Sequence, residues 1–358
     1  MNALARTALL LFLSATALPA AANDDEWRLD PGGAVRFGYG WLDYASTSRL
    51  QPELVRLDLD GQAGPVSGSL QYRWYDGFDA LHHAWIGMRT GQQAQLRLGV
   101  QQVPFGLLPT ASQSFWFGSG YYLGLEDDYD PGLAWEGAAG PHRWHLGWFT
   151  GDEYGDGRRY DRYSFDVATT DTLPYRERGR AHLRYARSID WHGQLELGAS
   201  AYAGQVEDVS AGGRRDSRRG ALHAQLVRGS VTWQLQWAHY RYDVPGGRIA
   251  MSAFQAPFQI AARADVPSFN LAWALPRSGG FDTITCYNNL SATLPRGGAG
   301  LDDSWLNVTG CSLGKGPMLA YVDWIAGRDM WFVGGEGVGI DGPGRWRSRL
   351  NVNIGFYF

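Results

Sequence analysis

The feature that most constrains this chain is a period of two in its apolar residues, repeated in segments of roughly ten residues from Ala34 to the C-terminus. In the last segment Leu350, Val352, Ile354, Phe356 and Phe358 fall on one face, while Arg347, Arg349, Asn351, Asn353 and Tyr357 fall on the other. The same phasing sets Val55, Leu57 and Leu59 against Arg56, Asp58 and Asp60, and Leu96, Leu98 and Val100 against Arg97, Gly99 and Gln101. Trp144, Leu146 and Trp148 alternate likewise with Arg143 and His145, and the pattern returns in 195–200, 231–237 and 269–275. A tilted strand needs about 9–11 such residues to cross a bilayer. After Asn23 no apolar run approaches the ~18 residues of a spanning helix. Glycine at 48, tryptophan at 16 and tyrosine at 18 against 19% charged residues adds the bias of strands and turns. Two stretches, 132–138 and 303–313, do not phase cleanly.

A water-soluble sandwich alternates as well, so the connectors decide. Reading on from a first strand near 34–44, long links at 45–52, 76–80, 103–131, 151–176, 205–217, 243–264, 292–302 and 327–345 take turns with short ones. The short links are turn-like, such as Ala139-Gly140-Pro141-His142, Gly229-Ser230 and Gly314-Lys315-Gly316. Sixteen strands result. An even count with long loops at one end and tight turns at the other is the layout of an outer-membrane barrel, and closure pairs every backbone amide, as lipid demands. The expected fold is all-β: a transmembrane antiparallel β-barrel of about 16 strands, one domain over 23–358. A signal peptide, 1–22, precedes it, with Arg6 as the basic region, an apolar run over 7–18 and Pro19-Ala20-Ala21-Ala22 as the cleavage site. A net charge of −4 removes any bulk attraction to nucleic acid.

The run Leu96-Arg97-Leu98-Gly99-Val100-Gln101-Gln102-Val103-Pro104-Phe105-Gly106 resembles the Gly-Gln-x-x-x-Pro-Phe-Gly stretch of the phosphate-selective porin family (porins O and P), with Val100 inserted between the Gly and the Gln. Ala84-Trp85-Ile86 before it and Asp130-Pro131-Gly132 after it are similar too, and the terminal Phe358 looks like the assembly signature of outer-membrane barrels. The resemblance implies a sixteen-stranded, usually trimeric, solute channel, set in outer-membrane lipid and lipopolysaccharide. That family's phosphate preference is tied to pore-lining lysines. This chain has a single lysine, Lys315, so its cationic wall is made of arginine.

With the apolar phase toward lipid, the lumen receives Arg36, Arg56, Arg73, Arg97, Arg143, Arg178, Arg180, Arg184, Arg219, Arg347 and Arg349. Acids on that face are fewer. Guanidinium stays charged and pairs with carboxylate or phosphate through a planar fork, so the wall favours small anions over cations, with neutral solutes also passing. Arg178, Arg180, His182 and Arg184 form the densest stripe and the expected anion pathway. The link 103–131 has the place and content of a constriction loop: Phe115, Trp116, Tyr121 and Tyr122 to pack on the wall or anchor the loop, and Glu126, Asp127, Asp128 and Asp130 to face the arginines. Those acids could also face external water or hold a divalent cation with other loops; lacking the Gly and terminal Glu of a calcium loop, they are not assigned a metal. No cofactor is expected.

Two other functions compete. Tyr202, Tyr240 and Tyr321 on the luminal phase would suit stacking of sugars or aromatic acids. A barrel enzyme or adhesin is the other, but none of the eight histidines sits in a nucleophile motif, and alternation places His82 and His83 on opposite faces. Cys286 and Cys311 lie on neighbouring strands, with a hairpin centre near 297 that sets them about three residues out of register.

Overall fold

The computed structural model describes residues 27–358, so the segment read as a signal peptide lies outside the described residues. The described residues form twenty strands: β1 (Arg28–Leu42), β2 (Ala45–Ala63), β3 (Val66–Tyr75), β4 (Asp79–Gly91), β5 (Ala94–Gln102), β6 (Tyr129–Ala139), β7 (His142–Phe149), β8 (Asp166–Val167), β9 (Tyr175–Asp190) and β10 (Gln194–Asp208). These are followed by β11 (Arg214–Arg228), β12 (Val231–Tyr242), β13 (Arg248–Ala253), β14 (Ala256–Ala261), β15 (Arg263–Leu275), β16 (Thr283–Pro295), β17 (Ser304–Lys315), β18 (Met318–Arg328), β19 (Gly337–Val338) and β20 (Trp346–Tyr357). Sixteen close into one antiparallel barrel, each paired with its neighbour in the chain except where β8, β13, β14 and β19 are skipped. Closure comes from β1 against β20, with Ala34 opposite Tyr357. No edge is left for lipid to expose.

The alternation is realised as lipid and lumen faces. Leu57, Leu98, Leu146, Leu222, Phe269 and Ile354 are exposed outward, and Trp41, Trp74, Trp148, Trp237, Trp273 and Trp324 stand among them. Such a continuous apolar exterior is what a bilayer solvates and water does not. Connections of two or three residues mark one end at 64–65, 92–93, 140–141, 229–230 and 316–317; the long links 103–128, 150–174, 243–262 and 329–345 all emerge at the other. The expected link 45–52 is instead the start of β2, and most of 205–217 is strand as well, so these two hairpins run on as paired strands.

Three of the long links fold inward. Their strands make a small second sheet in the order β19-β14-β13-β8. Ile249, Met251, Phe258, Ile260 and Val338 on it pack with Phe105, Tyr121, Leu123 and Leu125 of the 103–128 loop against the inner wall. The hydrophobic core of this protein therefore lies inside one part of the barrel, under the long links. Apolar side chains on loops have no other place to hide from water.

Local irregularities shift the period of two. Gln71 pairs with His83 and Tyr72 with Leu81, leaving His82 as an extra residue in β4. A bulge of this kind turns consecutive side chains to the same side. His82 and His83 thus both point inward, with their Nδ1 atoms 2.8 Å apart, contrary to strict alternation. Cys286 and Cys311 stand directly opposite each other and form a disulfide. The hairpin centre, midway between Thr293 and Ser304, lies one and a half residues after 297, which moves the partner of Cys286 by three residues onto Cys311. The uneven phasing of 303–313 also has a cause. Asn307 and Thr309 face outward and exchange hydrogen bonds with Asn288 of β16 and with each other, from 2.6 to 3.2 Å, so the polar groups satisfy one another.

Candidate functional site

Loop 103–128 crosses the interior from β5 to the far wall and then follows it. Gly106 makes the first landing: its N–H donates to Ser200 Oγ (3.0 Å) and its carbonyl accepts from Arg184 Nε (2.6 Å). Leu107 N–H donates to Gln236 Oε1 at 2.8 Å. The loop continues past Gln234 and Asn289, which bond Gln113 and Ser114, to Ser291, whose hydroxyl accepts from Ser119 N–H at 2.9 Å. Gly106 has a φ of 63°, and a Cβ there would collide with the Gln236 amide. Only glycine combines that conformation with that contact.

The aromatics pin the loop. Phe115 lies 5.8 Å from the Tyr321 ring, Trp116 stacks on Phe332 at 5.2 Å, Tyr122 stacks on Phe332 at 4.0 Å, and Tyr121 stacks on Phe117 at 4.3 Å. The acids do not act alike. Burial pushes the Glu126 carboxyl up to about 8, so it sits in the loop as an uncharged group at neutral pH. Asp127 accepts from the Tyr163 hydroxyl. Asp128 and Asp130 pair with Arg180, but Asp130 is already in β6, so the loop proper ends two residues short of it.

The stripe on β9 is where the sequence reading needs most correction. Gly204 pairs with Arg180 and Val206 with Glu177, so Arg178 and Gly179 form a bulge across from Gln205. Arg178 therefore points outward and pairs with Glu207, beside Arg176. Arg180 and Arg184 do face inward, but they are 0% and 2% exposed beneath the loops, although Arg184 still borders a luminal cavity. Arg180 bridges Asp128 (3.0 Å), Asp130 and Glu177 (2.8 Å); Arg184 holds Glu196 at 2.9 Å; Arg219 holds Glu177 at 2.7 Å. Arg162 of the link 150–174 joins this set through Asp152 and Asp166. Glu177, Arg162, Asp152 and Asp166 were not singled out by sequence: Glu177 turns inward only because of the bulge, and the other three lie in a link without periodicity.

Elsewhere the inner wall is wetter. Arg36 pairs with Glu53 at 2.9 Å, Arg56 with Asp58 at 2.7 Å and Arg97 with Glu136 at 2.6 Å. Glu53 reaches the lumen through another irregularity, between Arg36 and Phe37 of β1. Among the described residues, Arg73, Arg143, Arg347 and Arg349 have no carboxylate within 4.0 Å. Arg73 lies 4.3 Å from the Tyr163 ring, Arg347 5.3 Å from Tyr44 and Arg349 3.8 Å from Trp116. Arg143 is exposed in a cavity of about 660 Å³ at the short-turn end, lined also by Gln95, Glu136, His145 and Glu196 and roofed by Leu108 and Pro109 of the loop. Tyr202 and Tyr240 are buried, and Tyr321 is engaged with Phe115, so the three do not form an open stacking path.

No family model matches the sequence, and no curated protein does. Solved structures do match in shape. The outer membrane channel DcaP of Acinetobacter baumannii has a TM-score of 0.66 at 11% identity, over 93% of this chain and 97% of that one. OmpT of Vibrio cholerae, an outer membrane protein in its trimer form, gives 0.63 at 12% identity over 93% and 100%. The anion-selective porin from Comamonas acidovorans gives 0.57 at 14% identity over 93% and 100%. This chain accordingly has the closed-barrel fold of outer-membrane proteins, with a lipid-facing exterior and a loop folded against its inner wall.

Proposed function

We propose that this protein is an outer-membrane porin: a passive diffusion channel for small hydrophilic solutes, with a mild anion preference, working as a homotrimer without cofactor or energy source. One observation carries the reading. An apolar exterior surrounds a charged interior, and one loop is seated along the inner wall, an arrangement that narrows a pore without sealing lipid from water. The anion preference rests on Arg143, Arg347 and Arg349, whose charges are not cancelled by paired carboxylates as those of Arg36, Arg56 and Arg97 are. The anion-selective porin and the trimeric OmpT among the similar structures support preference and assembly by likeness of fold. Kinship with the phosphate-selective porins is carried by the run 96–106, whose Gly106 makes the loop's landing. Phosphate itself is not the proposed solute, because Lys315 ends β17 at the short-turn end of the barrel, beside Asp282 (3.5 Å).

The reversal potential in planar bilayers under a salt gradient tests the selectivity. Wild-type protein is expected to favour anions, and Arg143→Ala, which removes an exposed charge without breaking an ion pair, to move the potential toward cations. An unchanged potential in Arg143→Ala and in a combined Arg143→Ala, Arg347→Ala variant would contradict the assignment of the anion preference to these arginines.

A further inference from the structure

The loop-bearing part of the interior holds more buried negative charge than its arginines cover. Asp128, Asp130, Asp152, Asp166 and Glu177 are each at most 4% exposed. The buried guanidinium groups among them are Arg162, Arg180 and Arg219, and all are committed. Arg162 lies 3.4 Å from Asp152 and 3.8 Å from Asp166, Arg180 serves Asp128, Asp130 and Glu177, and Arg219 serves Glu177. Five carboxylates against three guanidiniums leave an excess that a dry site holds only with bound protons or a further counter-charge. The carboxylate oxygens of Asp128, Asp130 and Asp166 come within 4.8 Å of one another. A separate observation points at the same spot. Ser252 of β13 is 0% exposed, its hydroxyl has no hydrogen-bond partner, and it stands directly opposite Asp166 of β8. Cross-strand partners share a face, so that hydroxyl is directed to the Asp166 side.

We infer that Asp128, Asp130, Asp166 and Ser252 bind one calcium ion. The donors are all hard oxygens, three carboxylates and a hydroxyl, with neither sulfur nor imidazole in the set, which suits Ca²⁺ rather than Zn²⁺. Ca²⁺ takes ligand oxygens at about 2.3–2.6 Å, so oxygens on opposite sides of the ion stand about 5 Å apart, the spread seen here. The ion supplies the missing positive charge. It also ties three separate links at one point, since Asp128 ends the constriction loop, Asp166 belongs to the link 150–174 and Ser252 to the link 243–262. Removal of calcium is then a way to loosen the whole inward-folded assembly at once.

Equilibrium dialysis of the detergent-solubilised, EGTA-washed barrel against CaCl₂ tests this. The expected result is one saturable Ca²⁺ per chain, with affinity lowered by on the order of tenfold or more in Asp166→Asn and several-fold in Ser252→Ala. Asp127→Asn, whose carboxylate is held by Tyr163 outside the cluster, is expected to bind as wild type. Ser252→Ala removes only a hydroxyl and keeps the test decisive if Asp166→Asn does not fold. Absence of saturable binding, or binding equally strong in Ser252→Ala and in every folded Asp166→Asn preparation, would overturn the inference.

Discussion

Replacing Arg180 by alanine is expected to cost the folded barrel about 3–5 kcal/mol, the typical price of leaving buried charge unpartnered. Arg180 is wholly buried and touches Asp128, Asp130 and Glu177, which come from the loop's end, from β6 and from β9. Without it three carboxylates face one another in a site that excludes water. They must take up protons or move apart, and the element freest to move is the loop. Urea unfolding in micelles, followed by the heat-dependent electrophoretic mobility shift of barrels, measures the cost. Arg180→Lys should recover part of it, because an ammonium restores the charge but not the fork that reaches separate carboxylates. Wild-type stability in Arg180→Ala would mean that the cluster is neutral without its arginine.

The second large effect is on conductance. Gly106→Val puts a β-branched side chain at a φ of 63° and drives its Cβ into the Gln236 amide. The hydrogen bonds to Ser200, Arg184 and Leu107–Gln236 cannot all survive this. The barrel strands do not depend on the loop for their ladder, so the barrel should still close while the loop leaves the wall. Single-channel conductance is expected to rise well above wild type and to become noisier, since the freed loop samples several positions. A conductance equal to wild type would show that the loop does not limit the pore.

Much of the architecture was legible in the chain because lipid enforces a simple rule. Every spanning strand must alternate, and every second connector must be short enough to stay out of the way. The outward faces of β7, β20 and the 55–59 part of β2 could be written down residue by residue. What failed did so at bulges, where one extra residue reverses every face after it and leaves no mark in composition. Arg178 changed sides for that reason, His82 and His83 came to share one, and Glu53 and Glu177 turned inward. The disulfide between Cys286 and Cys311 was obscured by a smaller error, a hairpin turn centred one and a half residues too early. The buried cluster was half visible: Asp128, Asp130, Arg180 and Arg219 stood out as charged residues with a place in the pattern. Their partners Asp152, Arg162 and Asp166 lie in an irregular link whose path is set by tertiary packing. Nothing in the pattern marks Arg184 as nearly covered, because exposure of a luminal residue depends on which wall the loop chooses.

Wild-type protein reconstituted in a planar bilayer tests the central claim most directly. A water-filled passage predicts stepwise, ohmic current increments on insertion, smaller than those of Gly106→Val and scaling with salt concentration. A bilayer that stays silent while folded barrels, Gly106→Val among them, are shown to be inserted would contradict the claim that this interior conducts.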